Sequence, residues 1–85
     1  MELKEQFEQA AADSKTLAEK PDTETLLQLY SLYKQGSIGD VNTAPPSNPF
    51  DFVAKAKYNA WAELKGKPAT DAMNEYIALV KKLKG

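Results

Sequence analysis

The 85-residue chain contains no histidine and no cysteine, and all 11 of its basic residues are lysine, so it has no arginine either. Without cysteine it has no disulfide framework, thiolate nucleophile, or cysteine-based zinc or iron-sulfur site. Without histidine it lacks the usual general base near neutral pH and the commonest transition-metal ligand. A Ser-His-Asp triad or a histidine-bearing zinc hydrolase cannot be assembled, which weighs against an enzyme. Without arginine, any phosphate must be held by ammonium point charges rather than by bidentate guanidinium forks. No apolar run approaches the roughly 20 residues of a membrane span. Glu2, Lys4, Glu5 and Glu8 interrupt every apolar stretch from which a signal peptide could be built, so the expected location is cytoplasmic.

What is present describes one small globular unit, with 42% hydrophobic and 27% charged residues. A chain of this size buries only roughly 60 to 65% of its unfolded surface, which predicts a single domain over residues 1–85 built by close helix packing. The formal net charge is −1, too small to create the basic field of a nucleic-acid binder. Its distribution is uneven: seven acids oppose three lysines from Met1 to Tyr30, giving −4, whereas Ser31 to Ala60 sums to +1 and Trp61 to Gly85 to +2. An anion site is therefore expected among the lysines after Tyr30.

Apolar residues recurring at three- and four-residue intervals predict four helices and an all-α fold. The first runs from about Leu3 to Ala18, with Leu3, Phe7, Ala10, Ala11, Ser14 and Leu17 on one stripe. Pro21 breaks it, and Asp22 or Thr23 caps a second helix that ends near Gly36. That helix is apolar on more than one face, through Leu26, Leu27, Leu29, Tyr30, Leu32 and Tyr33, and is expected to pack on both sides. The segment from Gly36 to Asp51 holds three of the five prolines and two of the four glycines. A connector of that length suggests that the flanking helices are not simple antiparallel neighbours. The third helix is expected from near Phe52 to Lys65, with Val53, Ala56, Ala60, Trp61 and Leu64 inward and Gly66 as its stop. The fourth follows Pro68, with Ala72, Met73, Tyr76, Ile77, Val80 and Leu83 in register.

Tyr30, Tyr33 and Lys34, at i, i+3 and i+4, bring two phenol rings and an ammonium together on one helical surface. That triangle suits an aromatic ligand bearing phosphate: a tyrosine face stacks, its hydroxyl donates, and lysine supplies a point charge. A helix edge with half-buried tyrosines and a snorkelling lysine has the same spacing. Lys55 and Lys57 lie near the positive N-terminal end of the third helix, where a cation is disfavoured by a few tenths of a kcal/mol unless an anion joins it. Trp61, beside Ala60 and Leu64, reads as core. Asp13-Ser14 is like the Asp-Ser-Leu site of acyl carrier proteins, but Lys15 replaces leucine and the serine lies within a helix. Asp40 and Asn42 lack the further ligands of a calcium loop, and Asp71 and Glu75 lack a partner that would tune them for acid-base work.

Together these segments resemble the acyl-CoA-binding protein family. The resemblance runs nearly end to end and is most specific from Pro21 through Gly39, with Tyr30-x-x-Tyr33-Lys34-Gln35, followed by Gly39-Asp40-Val41-Asn42. Lys55-Ala56-Lys57, Ala60-Trp61, Leu64-Lys65-Gly66, Asp71-Ala72-Met73 and Tyr76-Ile77 follow in the family's order. The resemblance implies an up-down-down-up four-helix bundle with a long loop between helices two and three. It further implies a non-enzymatic, cofactor-free carrier that sequesters and transports long-chain fatty acyl-CoA. On the family's pattern, Tyr30, Lys34 and Lys57 contact the 3′-phosphate and Tyr33 and Lys15 lie beside the adenine. Phe7, Ala10, Ala11, Leu26, Leu27 and Tyr76 line the site.

The partners implied are long-chain acyl-CoA itself, acyl-CoA-using enzymes and transient membrane contact, with no nucleic acid and a monomeric state. Four positions depart from the family: Tyr58 stands where tryptophan is usual, Gly36 replaces a small Ser, Thr or Ala, and Val53-Ala54 replaces a common Lys-Gly pair. The loop around Asn48 to Phe50 is also one residue longer. A protein-interaction module or signalling peptide on the same scaffold is the alternative from another class.

Overall fold

The computed structural model describes residues 2–85, and its regular elements are α1 (Leu3–Ser14), α2 (Thr23–Ser37), α3 (Phe52–Ala62) and α4 (Ala69–Lys84). No strand occurs among the described residues. The order is the expected up-down-down-up bundle, the chain crossing from α2 to α3 through the long connector. Helix α4 packs on α1 and on α2, and α2 packs on α3 as well, so the doubly apolar α2 does bury two faces.

Helix α1 stops at Ser14, short of the expected Ala18. Ser14 Oγ donates to the Ala11 carbonyl at 2.7 Å and Thr16 Oγ1 to the Asp13 carbonyl at 3.0 Å, while the amides of Lys15 and Thr16 bond three residues back. These local bonds compete with helix continuation. Asp22 caps α2 by accepting from Thr25 N at 2.8 Å, and Asp51 caps α3 by accepting from Ala54 N at 3.0 Å. Helix α3 ends at Ala62, three residues before the expected Lys65, because the amides of Leu64 and Lys65 turn to i−3 carbonyls and Gly66 takes φ +92°. Val53, expected inward, is 65% exposed. The first turn of α3 carries it outward, and α2 is the only helix packed closely on α3 among the described residues.

The core gathers Phe7 and Ala10 from α1, Leu29 and Leu32 from α2, and Ala72, Tyr76 and Val80 from α4. Met73, Ile77 and Leu83 of the predicted α4 stripe are half-buried against it, as 3.6-residue spacing requires. Lys84 reaches Asp13 at 3.1 Å and Lys67 pairs with Glu75, both at the surface and worth little alone.

A polar lock holds the irregular segments to this core. Gln35 has no exposed surface, and its Nε2 donates to Asp40 Oδ1 and to the Lys67 carbonyl, each at 2.8 Å. The Gly66 amide donates to the same Asp40 oxygen at 2.8 Å, and Trp61 Nε1 donates to the Gly39 carbonyl at 2.8 Å. Gln35 Oε1 is buried without a donor among the described residues. Rotating the amide would instead set that oxygen against a carboxylate, so the two acceptors fix its orientation. The Gly66 amide, joined by Gln35, holds the Asp40 carboxyl below its ordinary value.

Two outcomes follow. Gln35→Ala should destabilise the fold by roughly 2–4 kcal/mol in urea unfolding, since a buried amide with two bonds is lost. Because the folded Asp40 pKa is depressed, its contribution is present above the unfolded value near 3.9 and is lost as pH falls through the folded value. Asp40→Asn should therefore lower the urea midpoint at pH 6 and do so progressively less toward pH 3; a difference independent of pH would exclude the linkage.

Candidate functional site

Helical spacing places Phe7, Tyr33 and Tyr76 on three different helices, and the bundle brings their rings together. Phe7 stacks on Tyr33 with centroids 5.3 Å apart and meets Tyr76 edge-on at 5.2 Å, while Tyr33 and Tyr76 lie 5.9 Å apart. Phe7 and Tyr76 are buried, whereas Tyr33 is 41% exposed, so the cluster grades from core to solvent. Tyr76 donates its hydroxyl to Ser14 Oγ at 3.2 Å, and Ser14 donates onward to the Ala11 carbonyl. Burial lifts the Tyr76 phenol above its ordinary value, the bond to Ser14 offsetting part of the rise and Tyr33 adding to it, so it stays a neutral donor.

Beside this cluster lies a hollow of about 290 Å³ lined by Ala11, Ser14 and Lys15, by Leu29, Tyr30 and Tyr33 of α2, and by Tyr76. A second hollow of about 220 Å³ has Tyr30, Lys57, Tyr58 and Trp61 in its walls, together with Thr43, Ala44, Pro46 and Ala54. Tyr30 belongs to both. The Lys34 ammonium lies 5.6 Å from the centre of the Tyr30 ring and 5.8 Å from that of Trp61, and the Lys57 ammonium lies 5.2 Å from the Tyr30 ring. Two cations from different helices thus share one aromatic ring. Among the described residues no carboxylate pairs with either. Chemically, the arrangement sets two cations against an aromatic face, which can receive an anion, and Tyr30 joins it to a largely apolar hollow.

The structure therefore gathers Tyr30, Tyr33, Lys34, Lys57, Lys15, Ala11 and Tyr76, with Phe7 behind the rings. It does not bring the other three sequence candidates there. Ala10 is in the core and borders a different groove, between α1 and α4. Leu26 is 37% exposed and Leu27 half-buried, and neither lines a hollow described above. Sequence reasoning missed Ser14 as a lining residue, weighing it only on the helical stripe and as a carrier-type serine, and read Trp61 as core. Trp61 is buried, yet its ring also faces the Lys34 ammonium; its i+4 spacing from Lys57 was the available signal.

A sequence model of the family described as Acyl CoA binding protein matches residues 4–80. The acyl-CoA-binding domain-containing protein 6 of Arabidopsis thaliana is 47% identical over 98% of this chain and 89% of its own length. The acyl-CoA-binding protein of Ricinus communis is 46% identical over 100% of this chain and 93% of its own. Among solved structures, acyl-CoA-binding protein 2 of Oryza sativa superposes with a TM-score of 0.89 at 40% identity, covering 96% of this chain and 90% of that one.

Gly36 governs how the aromatic cluster sits on α2. A Cβ at this position would stand 3.0 Å from Phe7 Cζ and 3.1 Å from Met73 Cγ. Glycine lets the Phe7 ring rest against the α2 backbone, with Tyr33 and Tyr76 packed on it. Gly36→Ala should gain up to about 1 kcal/mol of helix propensity while the displaced contacts lose a similar amount. The expected result is a net stability change within about 1 kcal/mol, accompanied by altered ring-current shifts of Phe7, Tyr33 and Tyr76 in the NMR spectrum. Unmoved aromatic resonances would show that Gly36 does not set the cluster.

Proposed function

The chain belongs to the acyl-CoA-binding protein family, and from that premise we propose that it binds long-chain fatty acyl-CoA without covalent chemistry, to sequester and transport it. The observation that carries this reading is the pair of ammonium groups, Lys34 and Lys57, set over the Tyr30 ring with no carboxylate paired to them among the described residues. They and the Tyr30 hydroxyl are the groups for the 3′-phosphate of the nucleotide. Two like charges held close are unfavourable alone, and a phosphate relieves that repulsion while accepting charge-assisted hydrogen bonds. Tyr33, half-exposed over Phe7, offers the face on which adenine stacks, with Lys15 at the same mouth. The apolar wall from Ala11 to Tyr76 takes the pantetheine or acyl portion.

Each methylene withdrawn from water adds roughly 0.8 kcal/mol, so affinity rises with acyl length until the groove is full. The reading is of binding rather than thioester hydrolysis, as in the relatives named for acyl-CoA binding. Ser14 is engaged between Tyr76 and the Ala11 carbonyl. The reading extends to a cofactor-free monomer acting in the cytoplasm and supplying acyl-CoA-using enzymes; no helix among the described residues is long and apolar enough to cross a membrane. A protein-interaction or signalling role on the same scaffold is not favoured, since the relatives above are named for acyl-CoA binding.

Calorimetry should show palmitoyl-CoA binding more tightly than either palmitate or free CoA; equal affinity for palmitate would remove the phosphate site from the reading. Lys34→Ala and Lys57→Ala should each weaken palmitoyl-CoA binding by about 1.5–3 kcal/mol, roughly tenfold to a hundredfold, with unfolding curves unchanged.

A further inference from the structure

The groove between α1 and α4, about 280 Å³ in volume, shares no residue with the two hollows at Tyr30. Each helix lines it with residues at i, i+3, i+4 and i+7, from Gln6 to Asp13 on α1 and from Ile77 to Lys84 on α4, so one stripe of each helix faces it. Ala10 and Val80 are core residues and Ile77 is half-buried against them, which gives the groove an apolar floor that reaches the packed interior. The neighbouring Ala11, Ser14 and Tyr76 turn to the hollow at Tyr33 instead.

The polar walls of the groove carry an unbalanced charge. Its single carboxylate, Asp13, has a donor on each oxygen: Gln9 Nε2 at 3.0 Å and Lys84 Nζ at 3.1 Å. The Lys84 bond bridges the two helices and stops the groove at that end. Lys81 is exposed and pairs with no carboxylate among the described residues. Two ammonium groups against one carboxylate leave a positive charge in excess, beside an apolar floor.

We propose that this groove binds a small carboxylate with an apolar body, its head at Lys81 and its body along Val80, Ala10 and Ile77. The helical rise from Ile77 to Lys84 is about 10 Å, and an extended chain advances about 1.2 Å per bond, so a body of about six to eight carbons fills the length. An amine would be repelled by Lys81, and an uncharged chain would leave the excess charge unanswered. A bridged end suits the short body of a small molecule better than a peptide, which would have to run on past it. The proposal rests on the groove alone and not on the acyl-CoA reading.

The test is an NMR titration of the full chain with octanoate and, separately, with 1-octanol. It is run on the parent and on Lys81→Gln, a substitution at an exposed position, with palmitoyl-CoA calorimetry on both. Octanoate should shift the methyl resonances of Ala10, Ile77 and Val80 with a dissociation constant on the order of 1 mM, and 1-octanol should bind there several-fold more weakly. Lys81→Gln should weaken octanoate binding about threefold to tenfold and leave the responses to 1-octanol and palmitoyl-CoA unchanged. Unmoved groove methyls overturn the proposal, as do shifts confined to the rings of Tyr30 and Tyr33. Equal binding of octanoate and 1-octanol, or of octanoate by parent and variant, overturns it as well. Lys81-dependent octanoate binding in a protein that fails to bind palmitoyl-CoA would leave the groove site standing and remove the acyl-CoA reading instead.

Discussion

A single buried amide organises the irregular half of the molecule. Helices α1, α2 and α4 close on one another through apolar contact, which is non-directional and would tolerate small shifts of the loops around them. The direction comes from Gln35. Its two N–H bonds, to Asp40 and to the Lys67 carbonyl, tie the start of the long connector and the α3–α4 turn to the same point on α2. Trp61, bonded to the Gly39 carbonyl, ties α3 to that connector. Lys34 precedes Gln35 in α2, and Lys57 lies one helical turn before Trp61. The amide and indole that lock the fold thus also fix where the two ammonium groups stand.

That coupling explains how a protein of net charge −1 gathers two lysine ammonium groups around one ring. The acids concentrate before Tyr30, and two carboxylates are occupied by donors of their own. Asp13 takes bonds from Gln9 and Lys84, and Asp40 takes bonds from Gly66 and Gln35. Each carboxyl is held below its ordinary value by those donors, Asp13 chiefly by Gln9 and Lys84 and Asp40 chiefly by the Gly66 amide. Among the described residues neither Lys34 nor Lys57 pairs with a carboxylate, and both ammonium groups stand beside the Tyr30 ring. An aromatic face attracts a cation without cancelling its charge, so an incoming phosphate meets a nearly full positive potential.

Helix number, order and most of the core were legible because 3.6-residue periodicity is a local property of sequence. Ala72, Tyr76 and Val80 show it in α4, and the grouping of Tyr30, Tyr33 and Lys34 follows from the same spacing. The ends of α1 and α3 were not legible, because they are set by local bonds that compete with the helix at single residues, Ser14 to the Ala11 carbonyl in α1 and the i−3 bonds of the Leu64 and Lys65 amides in α3. Val53 was misplaced for a different reason: the apolar pattern implies a buried face, but whether a neighbour reaches the first turn is a question of tertiary length. Leu26 and Leu27 illustrate the same limit on α2, where two apolar faces are visible in sequence but their division between core, hollow and solvent is not. Gln35 was invisible as a lock, since its partners lie five and 32 positions away.

The small size of the core gives the ligand a structural consequence as well. Only eight hydrophobic residues are buried among those described, and the aromatic cluster ends at a half-open Tyr33. On the proposed reading, an acyl or adenine group set against that ring would extend apolar packing already begun by Phe7, so that binding would add core to a domain that has little. A ligand bound only by the folded state stabilises it by RT ln(1 + [L]/Kd), about 2.7 kcal/mol at a hundredfold excess over Kd. For a domain whose whole stability is on the order of 5–10 kcal/mol, that is a large share. The absence of His, Cys and Arg is then a consistent design. The interior needs apolar volume, the proposed phosphate site would use two lysine point charges, and neither task calls for the missing side chains.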